Sequence, residues 1–176
     1  MKEQVVYAKE HPEFITITCL EWVHILNEDK FKNIITDSLN YLVVKKRVAV
    51  YGFVIMSNHF HMIWQMLGDN KRPDVQRDFL KYTSQKIIKV LEAEKSPLLG
   101  RLFVNAKDRK YQVWERNSLG ISLWTASVFE QKLAYIHTNP IKAGLCNLPE
   151  NYKYSSARFY EKNEKDWPFL SHHDGL

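Results

Sequence analysis

Residues 48–66 read VAVYGFVIMSNHFHMIWQM, and this stretch decides the fold. β-Branched and aromatic residues dominate Val48–Met56, which predicts a strand, and His59–Met66 predicts a second one. Ser57 and Asn58 between them are typical of tight turns. The stretch therefore predicts an antiparallel hairpin inside a sheet.

Further strands and helices are predicted on both sides of this hairpin. They are strands at Phe14–Leu20 and Tyr111–Glu115 and helices at Asp29–Lys45, Pro73–Glu94 and Ser127–Thr138. Pro140 is expected to stop the third helix, because proline lacks an amide and clashes with the preceding turn. The order β-α-β-β-α-β-α predicts an α+β fold, a ferredoxin-like (RRM-like) antiparallel sheet with helices packed on one face. We expect one domain over residues 1–176, with a core at about 12–140 and a C-terminal strap at 141–176.

Composition excludes several classes of protein and names no function. The chain has 176 residues, of which 45% are hydrophobic, and this argues for a folded globule. Its net charge of +5 is compatible with a polyanionic partner. Val48–Met56 is too short to span a bilayer, residues 1–14 are charged and interrupted by Pro12, and the two cysteines form no framework. These features predict a cytoplasmic protein with no membrane association.

The predicted third strand carries a His-Phe-His pattern. Side chains two apart on a strand project from the same face, so His59 and His61 should lie side by side. Two imidazoles at that separation can hold one cation. Alternatively, they are two histidines on a solvated strand face.

The predicted third helix carries a second pair of polar side chains. Tyr135 and Asn139 are four residues apart and therefore share one helix face. An amide oxygen is an acceptable third ligand for a hard cation, and a tyrosine hydroxyl on the same face would reach what the cation holds. Alternatively, Tyr135 is an ordinary helix aromatic and Asn139 caps the helix before proline.

Together, the two pairs would suit attack on a phosphodiester. A phenol becomes a useful nucleophile when its target is polarised and its geometry is fixed. A divalent cation on two imidazoles and one amide has open positions for phosphodiester oxygens and acts as a Lewis acid. Without cysteine ligands, structural zinc is disfavoured, and Mg²⁺ or Mn²⁺ fits better.

At these residues the chain resembles a known family. VIMSNHFHMIW resembles the His-hydrophobic-His (HUH) signature of the single-tyrosine transposases. YIHTNPIKAGL, followed by LPENYKYSSARFY, is similar to the C-terminal signature of REP-associated tyrosine transposases and their insertion-sequence relatives, and VWER fits the same pattern.

This resemblance implies a metal-dependent DNA transposase that nicks and rejoins single-stranded hairpin DNA through a 5′-phosphotyrosine intermediate. It implies His59 and His61 as metal ligands and Tyr135 as the nucleophile. Asn139 stands where insertion-sequence relatives tend to carry a glutamine, and His137 is a substitute ligand that should face away. The protein would be nucleoid-associated when bound to DNA. A homodimer and a monomer both stay open, as does the question of which chain supplies the tyrosine.

Basic and aromatic side chains are candidates for DNA contact. Arg77, Lys81 and Lys89 form a stripe on the second helix, and Arg109, Lys110 and Arg116 surround the loop before the last strand. Both groups could follow a DNA backbone, or they could be solvated surface. The aromatics Tyr111, Trp114 and Trp124 could stack on unpaired bases or serve packing.

Two other functions stay open at the level of sequence. One is a non-catalytic single-stranded nucleic-acid-binding regulator derived from such a transposase. The other is a metal hydrolase, although the chain has no HExxH motif and no Asp/Glu cluster.

Overall fold

The computed structural model describes residues 11–173. Its strands are β1 (Glu13–Thr18), β2 (Val48–Ile55), β3 (His59–Met66), β4 (Phe103–Ala106), β5 (Arg109–Tyr111) and β6 (Leu119–Ser122). Its α-helices are α1 (Asp29–Val44), α2 (Arg72–Ala93), α3 (Leu98–Arg101), α4 (Ala126–Lys142) and α5 (Ala157–Lys162). Short 3-10 turns lie at Leu20–Trp22, Ile25–Asn27 and Pro149–Asn151. Within the described range, a search for bilayer-spanning helices finds none of sufficient length and apolarity.

The main sheet has four antiparallel strands in the order β2-β3-β1-β6. Strand β3 lies between β2 and β1, and Thr16 and Thr18 of β1 lie opposite His61 and His59. This is the strand order of a ferredoxin-like sheet, built from two interleaved β-α-β units. The predicted α+β fold with an antiparallel sheet and helices packed on it is therefore confirmed.

Helices cover both faces of the sheet. Alternate strand residues such as Ile15, Phe53 and Trp64 pack with α1 and α2 in the larger core. Phe14 and Ile63 point to the other face and pack with α4 in a second cluster. The expectation of helices on one face holds for α1 and α2 and is wrong for α4, because strand alternation leaves both faces of the central strands apolar.

The predicted strand Tyr111–Glu115 is wrong. Arg109–Tyr111 pairs with Phe103–Ala106 in a separate two-stranded hairpin. Residues 113–115 form only an isolated antiparallel bridge with the end of β1, in which Leu20 N–H donates to Val113 O and Glu115 N–H donates to Thr18 O. The fourth strand of the main sheet is β6, which sequence reasoning missed because it is a short edge strand that contains glycine.

Helix α4 continues past Pro140, which contradicts the predicted stop. Pro140 lacks an amide, yet its carbonyl still accepts the Leu145 N–H at 2.9 Å, and Asn139 O accepts the Ala143 N–H at 3.1 Å. The ring is buried. The helix ends instead at Lys142, two residues before Gly144, whose φ of +70° favours glycine. One missing amide was therefore insufficient to end a helix whose other bonds could form.

The described C-terminal residues lie along the free edge of β2. Tyr154 O accepts the Ile55 N–H at 2.9 Å, and Ser171 N–H donates to Val50 O at 2.9 Å. Ser156 is buried; its hydroxyl accepts the Phe53 N–H at 3.0 Å and lies 2.9 Å from His137 Nε2 on α4. A single hydroxyl therefore joins the tail, the edge strand and α4.

Ser156→Ala is expected to lower the free energy of unfolding by about 2 to 4 kcal/mol, since each buried group left unsatisfied costs about 1–3 kcal/mol. Chemical denaturation of the variant and the wild type measures this difference. Ser171→Ala, at an exposed position of the same segment, is the control and should change stability by less than about 0.5 kcal/mol. Equal stability of Ser156→Ala and wild type would contradict the expectation.

Candidate active site

Strand β3 presents two histidines on the α4 side of the sheet. The rings of His59 and His61 are 4.9 Å apart between centroids, as strand alternation predicts. Phe60 between them points to the opposite face, where its ring packs 5.5 Å from that of Trp114. The side-by-side arrangement therefore follows from the strand itself.

Each histidine is oriented by a hydrogen bond to its Nδ1 atom. His61 Nδ1 lies 2.8 Å from Thr16 Oγ1 on β1, and His59 Nδ1 lies 2.7 Å from Asn58 Oδ1. An amide oxygen can only accept, so neutral His59 carries its proton on Nδ1 and a lone pair on Nε2. Partners of this kind typically fix the tautomer and ring orientation of metal-binding histidines. Sequence reasoning missed Thr16 and Asn58.

Helix α4 brings two further polar side chains to the histidines. Thr125 begins the helix by accepting the Val128 N–H at 3.2 Å, and Phe129 and Ile136 pack into the second core cluster. At Gly52 of β2 the helix lies so close that an added Cβ would stand 2.7 Å from Leu133 Cδ1. This close packing fixes α4 over the end of the sheet that carries the histidines.

Asn139 contacts the imidazoles directly. Its Nδ2 atom lies 3.4 Å from His61 Nε2, where the lone pair of the Nδ1–H tautomer would accept. Rotation of the amide by a half-turn would present Oδ1 to the same position. Asn139 therefore lies where its amide oxygen could be a third ligand beside the two imidazoles.

Tyr135 lies one turn before Asn139 on the same face of α4. Its ring centroid is 5.2 Å from that of His61, and 39% of its surface is exposed. Lys132 and Lys142 extend their Nζ atoms to 5.9 and 5.5 Å from the Tyr135 ring. Sequence reasoning missed both lysines, although their spacing of three and seven residues from Tyr135 puts them on its helix face. Within a single chain, the fold thus brings together the tyrosine hydroxyl, two lysine ammonium groups, two imidazoles and the asparagine amide.

Burial keeps both imidazoles neutral at neutral pH. It lowers the pKa of His61 to about 3, with smaller contributions from the positive charges of His59 and Lys132. Burial also lowers the pKa of His59, and a hydrogen bond with Asn139 partly opposes this. His61 is only 4% exposed, so the alternative of two histidines on a solvated strand face is wrong for His61. Neutral imidazoles are the form that binds metal ions.

His137 lies outside this cluster. It is buried beneath α4, where it bonds Ser156, and burial lowers its pKa to about 4. This is the orientation expected from its position two residues after Tyr135. Among residues 11–173, no three His, Cys, Asp or Glu side chains form a group able to hold a metal ion. Within that range, the two histidines therefore have no third His, Cys, Asp or Glu side chain beside them.

The six basic residues that are candidates for DNA contact lie in three parts of the fold. Arg77, Lys81 and Lys89 are on α2, which packs on the sheet face away from the histidines. Arg77 is paired with Asp74 and Asp78 at 3.0 and 3.1 Å. Arg109 and Lys110 belong to the β4–β5 hairpin, and Arg109 pairs with Asp108 at 3.2 Å. Arg116 is exposed in the loop before β6 and lines a pocket. Trp22 and Thr18 line the same pocket and lie next to His59.

The three aromatic residues that are candidates for base stacking also differ in burial. Trp114 is buried and donates its indole N–H to Thr83 Oγ1 at 3.0 Å, Tyr111 is half-buried, and Trp124 is exposed. Besides Phe14 and Tyr135, which contact His61, Trp22 contacts the histidine pair, and sequence reasoning missed it. Its ring centroid lies 5.8 Å from that of His59.

Comparison with known proteins identifies the fold. The structure of a REP-associated tyrosine transposase bound to a REP hairpin is similar to this chain, with a TM-score of 0.68 and 14% sequence identity over 99% of this chain and 92% of the other. A candidate transposase from Deinococcus radiodurans R1 matches with a TM-score of 0.49 and 15% identity, over 77% of this chain and 95% of that one. No family model matches the sequence, and no curated protein matches it.

The similarity to the REP-associated tyrosine transposase defines the fold of this chain. The chain has the ferredoxin-like fold of a tyrosine transposase, over nearly its whole length.

Proposed function

We propose that this protein is a metal-dependent, single-tyrosine HUH transposase that nicks and rejoins single-stranded DNA beside hairpins. Tyr135 is the nucleophile, His59 and His61 are metal ligands, and Asn139 is the third ligand. The supporting observation is the placement of Tyr135 and Asn139, distant in sequence from the histidines, at 5.2 Å between the Tyr135 and His61 rings and 3.4 Å between Asn139 Nδ2 and His61 Nε2. The fold match to a tyrosine transposase supports the same assignment.

The donor atoms fit a divalent cation. Both Nδ1 atoms are engaged by Asn58 and Thr16, so the Nε2 atoms are the ones left to bind. The ligand set contains no thiolate, which disfavours structural zinc, and its amide oxygen suits a hard cation such as Mn²⁺ or Mg²⁺. When bound, the cation would polarise a phosphodiester and offset its charge.

The residues of the chain perform the transfer. Tyr135 Oη attacks phosphorus, the bond from phosphorus to the 3′ oxygen breaks, and a Tyr135–O–P bond forms on the 5′ side. The phenol loses its proton and the leaving 3′ oxygen gains one, so the products are a 5′-phosphotyrosine and a free 3′-hydroxyl. Lys132 and Lys142 beside the Tyr135 ring attract the phosphate. Because one phosphoester bond replaces another, attack by a 3′-hydroxyl on the phosphotyrosine reverses the step and rejoins the strands.

The proposed substrate follows from the similar structure, which holds a REP hairpin. Single-stranded DNA that folds into imperfect hairpins is therefore the first substrate to try. The protein would be incubated with labelled hairpins from the DNA that flanks its own gene, with Mg²⁺ or Mn²⁺ or with chelator. A metal-dependent covalent adduct on a denaturing gel is expected. Tight binding without an adduct would favour a non-catalytic binding protein, and free cleaved strands without an adduct would favour a hydrolase.

Thr16→Val is expected to weaken the affinity for Mn²⁺ by about 10- to 100-fold, because it removes the hydroxyl that orients His61. Isothermal titration calorimetry measures the affinity directly. Thr16→Ser keeps the hydroxyl and should bind Mn²⁺ like the wild type. Unchanged affinity in Thr16→Val would show that Thr16 does not position His61.

A further inference from the structure

An exposed tryptophan stands beside the histidine cluster. Trp22 is 58% exposed, and its ring meets that of His59 edge-on. Trp22 and its neighbour Glu21 have φ values of 57° and 50°, a left-handed conformation that side chains rarely adopt. The Trp22 ring is therefore open to solvent beside His59.

Hydrogen bonds from two directions hold this conformation. Glu21 N–H donates to Glu115 Oε1 at 2.8 Å. Asn58 Nδ2 donates to Trp22 O at 3.4 Å, while Asn58 Oδ1 accepts from His59. The same side chain therefore positions both the tryptophan and a proposed metal ligand. Asn58 therefore fixes the position of Trp22 relative to His59.

Trp22 forms one wall of a pocket of about 460 Å³, which is also lined by Thr18, Gln112, Glu115, Arg116 and Asn117. Thr18 lies opposite His59 in the sheet, so the pocket adjoins the histidine cluster. Gln112 Nε2 donates to Trp114 O at 3.0 Å, which leaves its Oε1 atom as an acceptor. Arg116 is exposed and lines the same pocket.

We infer that this pocket binds an unpaired nucleobase next to the cleaved phosphodiester, stacked on Trp22. Stacking on an aromatic ring is open to every base, and the Arg116 guanidinium suits the adjoining phosphate. The Glu115 carboxylate accepts hydrogen bonds only. Guanine alone among the DNA bases has two adjacent donors on its pairing edge, so the pocket prefers guanine. This inference rests on the proposed function, since it takes the histidine cluster as the place of cleavage.

The test uses the full chain with Tyr135→Phe, which keeps the DNA intact. Labelled hairpins with one unpaired base of each kind beside the stem are titrated by fluorescence anisotropy at one salt concentration. Trp22→Ala is expected to weaken binding by about ten- to a hundredfold, and Trp22→Phe by much less. Glu115→Gln keeps an acceptor for Glu21 N–H and is expected to lose the preference for guanine.

Trp124→Ala is the matched control. Trp124 is 59% exposed, against 58% for Trp22, and follows β6 at the end of the sheet where Ser122 pairs with Glu13. Thr18 is five residues further along β1, about 17 Å away at the usual rise per residue. Equal losses in Trp22→Ala and Trp124→Ala, unchanged binding in Trp22→Ala, or no binding by any variant would overturn the inference.

A parallel adduct assay with Tyr135 intact separates this inference from the proposed function. Adduct formation with DNA binding that ignores Trp22 removes the base pocket and leaves the transposase. Binding that depends on Trp22 without any adduct leaves the base pocket and removes the tyrosine chemistry.

Discussion

Tyr135→Phe is expected to abolish the covalent protein–DNA adduct and to leave hairpin binding within about twofold of the wild type. The change removes one oxygen atom and keeps the ring that packs against His61 and Phe14. In the proposed reaction that oxygen would form the bond to phosphorus, so its removal takes away the nucleophile. The expected loss is complete, whereas removal of a merely helpful group would leave a slower reaction.

Denaturing gels measure the adduct, and anisotropy at fixed salt measures binding. Tyr82→Phe is the matched control, since Tyr82 is also an exposed helix tyrosine but lies on α2, across the sheet from the histidines. An adduct that persists in Tyr135→Phe would remove Tyr135 as the nucleophile. An adduct lost in both variants would point to a general effect on the protein.

His61→Ala is expected to reduce metal-dependent adduct formation by on the order of a thousandfold, because it removes a ligand and Lewis-acid activation contributes several kcal/mol. The variant should also lose measurable Mn²⁺ affinity. His61 is buried and hydrogen-bonded to Thr16, so some loss of thermal stability is expected as well. Loss of activity alone would therefore not distinguish a ligand from a packing residue.

His137→Ala provides the comparison that separates the two roles. His137 is also buried, its pKa is also lowered by burial, and its Nε2 atom bonds a serine hydroxyl instead of facing the cluster. The two variants should lose comparable stability in thermal melts, but only His61→Ala should lose Mn²⁺ binding. If both variants bind Mn²⁺ equally well, His61 is not a ligand.

The sequence predicted the features that depend on local spacing. Strand alternation put His59 and His61 on one face, and helical spacing put Tyr135 and Asn139 on another, and the structure has both arrangements. That the two faces meet does not follow from spacing, because it depends on α4 packing on the second face of the sheet. The resemblance to single-tyrosine transposases supplied that connection.

Features that depend on tertiary contacts escaped prediction. Thr16 is 45 residues from His61 in sequence, so nothing local marks it as an orienting partner. Trp22 follows a strand whose pattern gives no sign of the left-handed turn that exposes it. Helix α4 passed through Pro140 because the carbonyl groups of Asn139 and Pro140 found amide partners further along. For Thr16 and Trp22 the deciding partners, His61 and Asn58, lie far away in sequence.

The bonds that fix α4 bear on how strands could be exchanged. Ser156 ties α4 to the edge strand through His137, and Leu133 is packed against Gly52. A helix held in this way cannot swing its tyrosine to a second site between cleavage and rejoining unless these contacts break. In the proposed reaction, the movement would therefore belong to the DNA: the tethered 5′ end would stay in place, and a new 3′ end would have to diffuse to it.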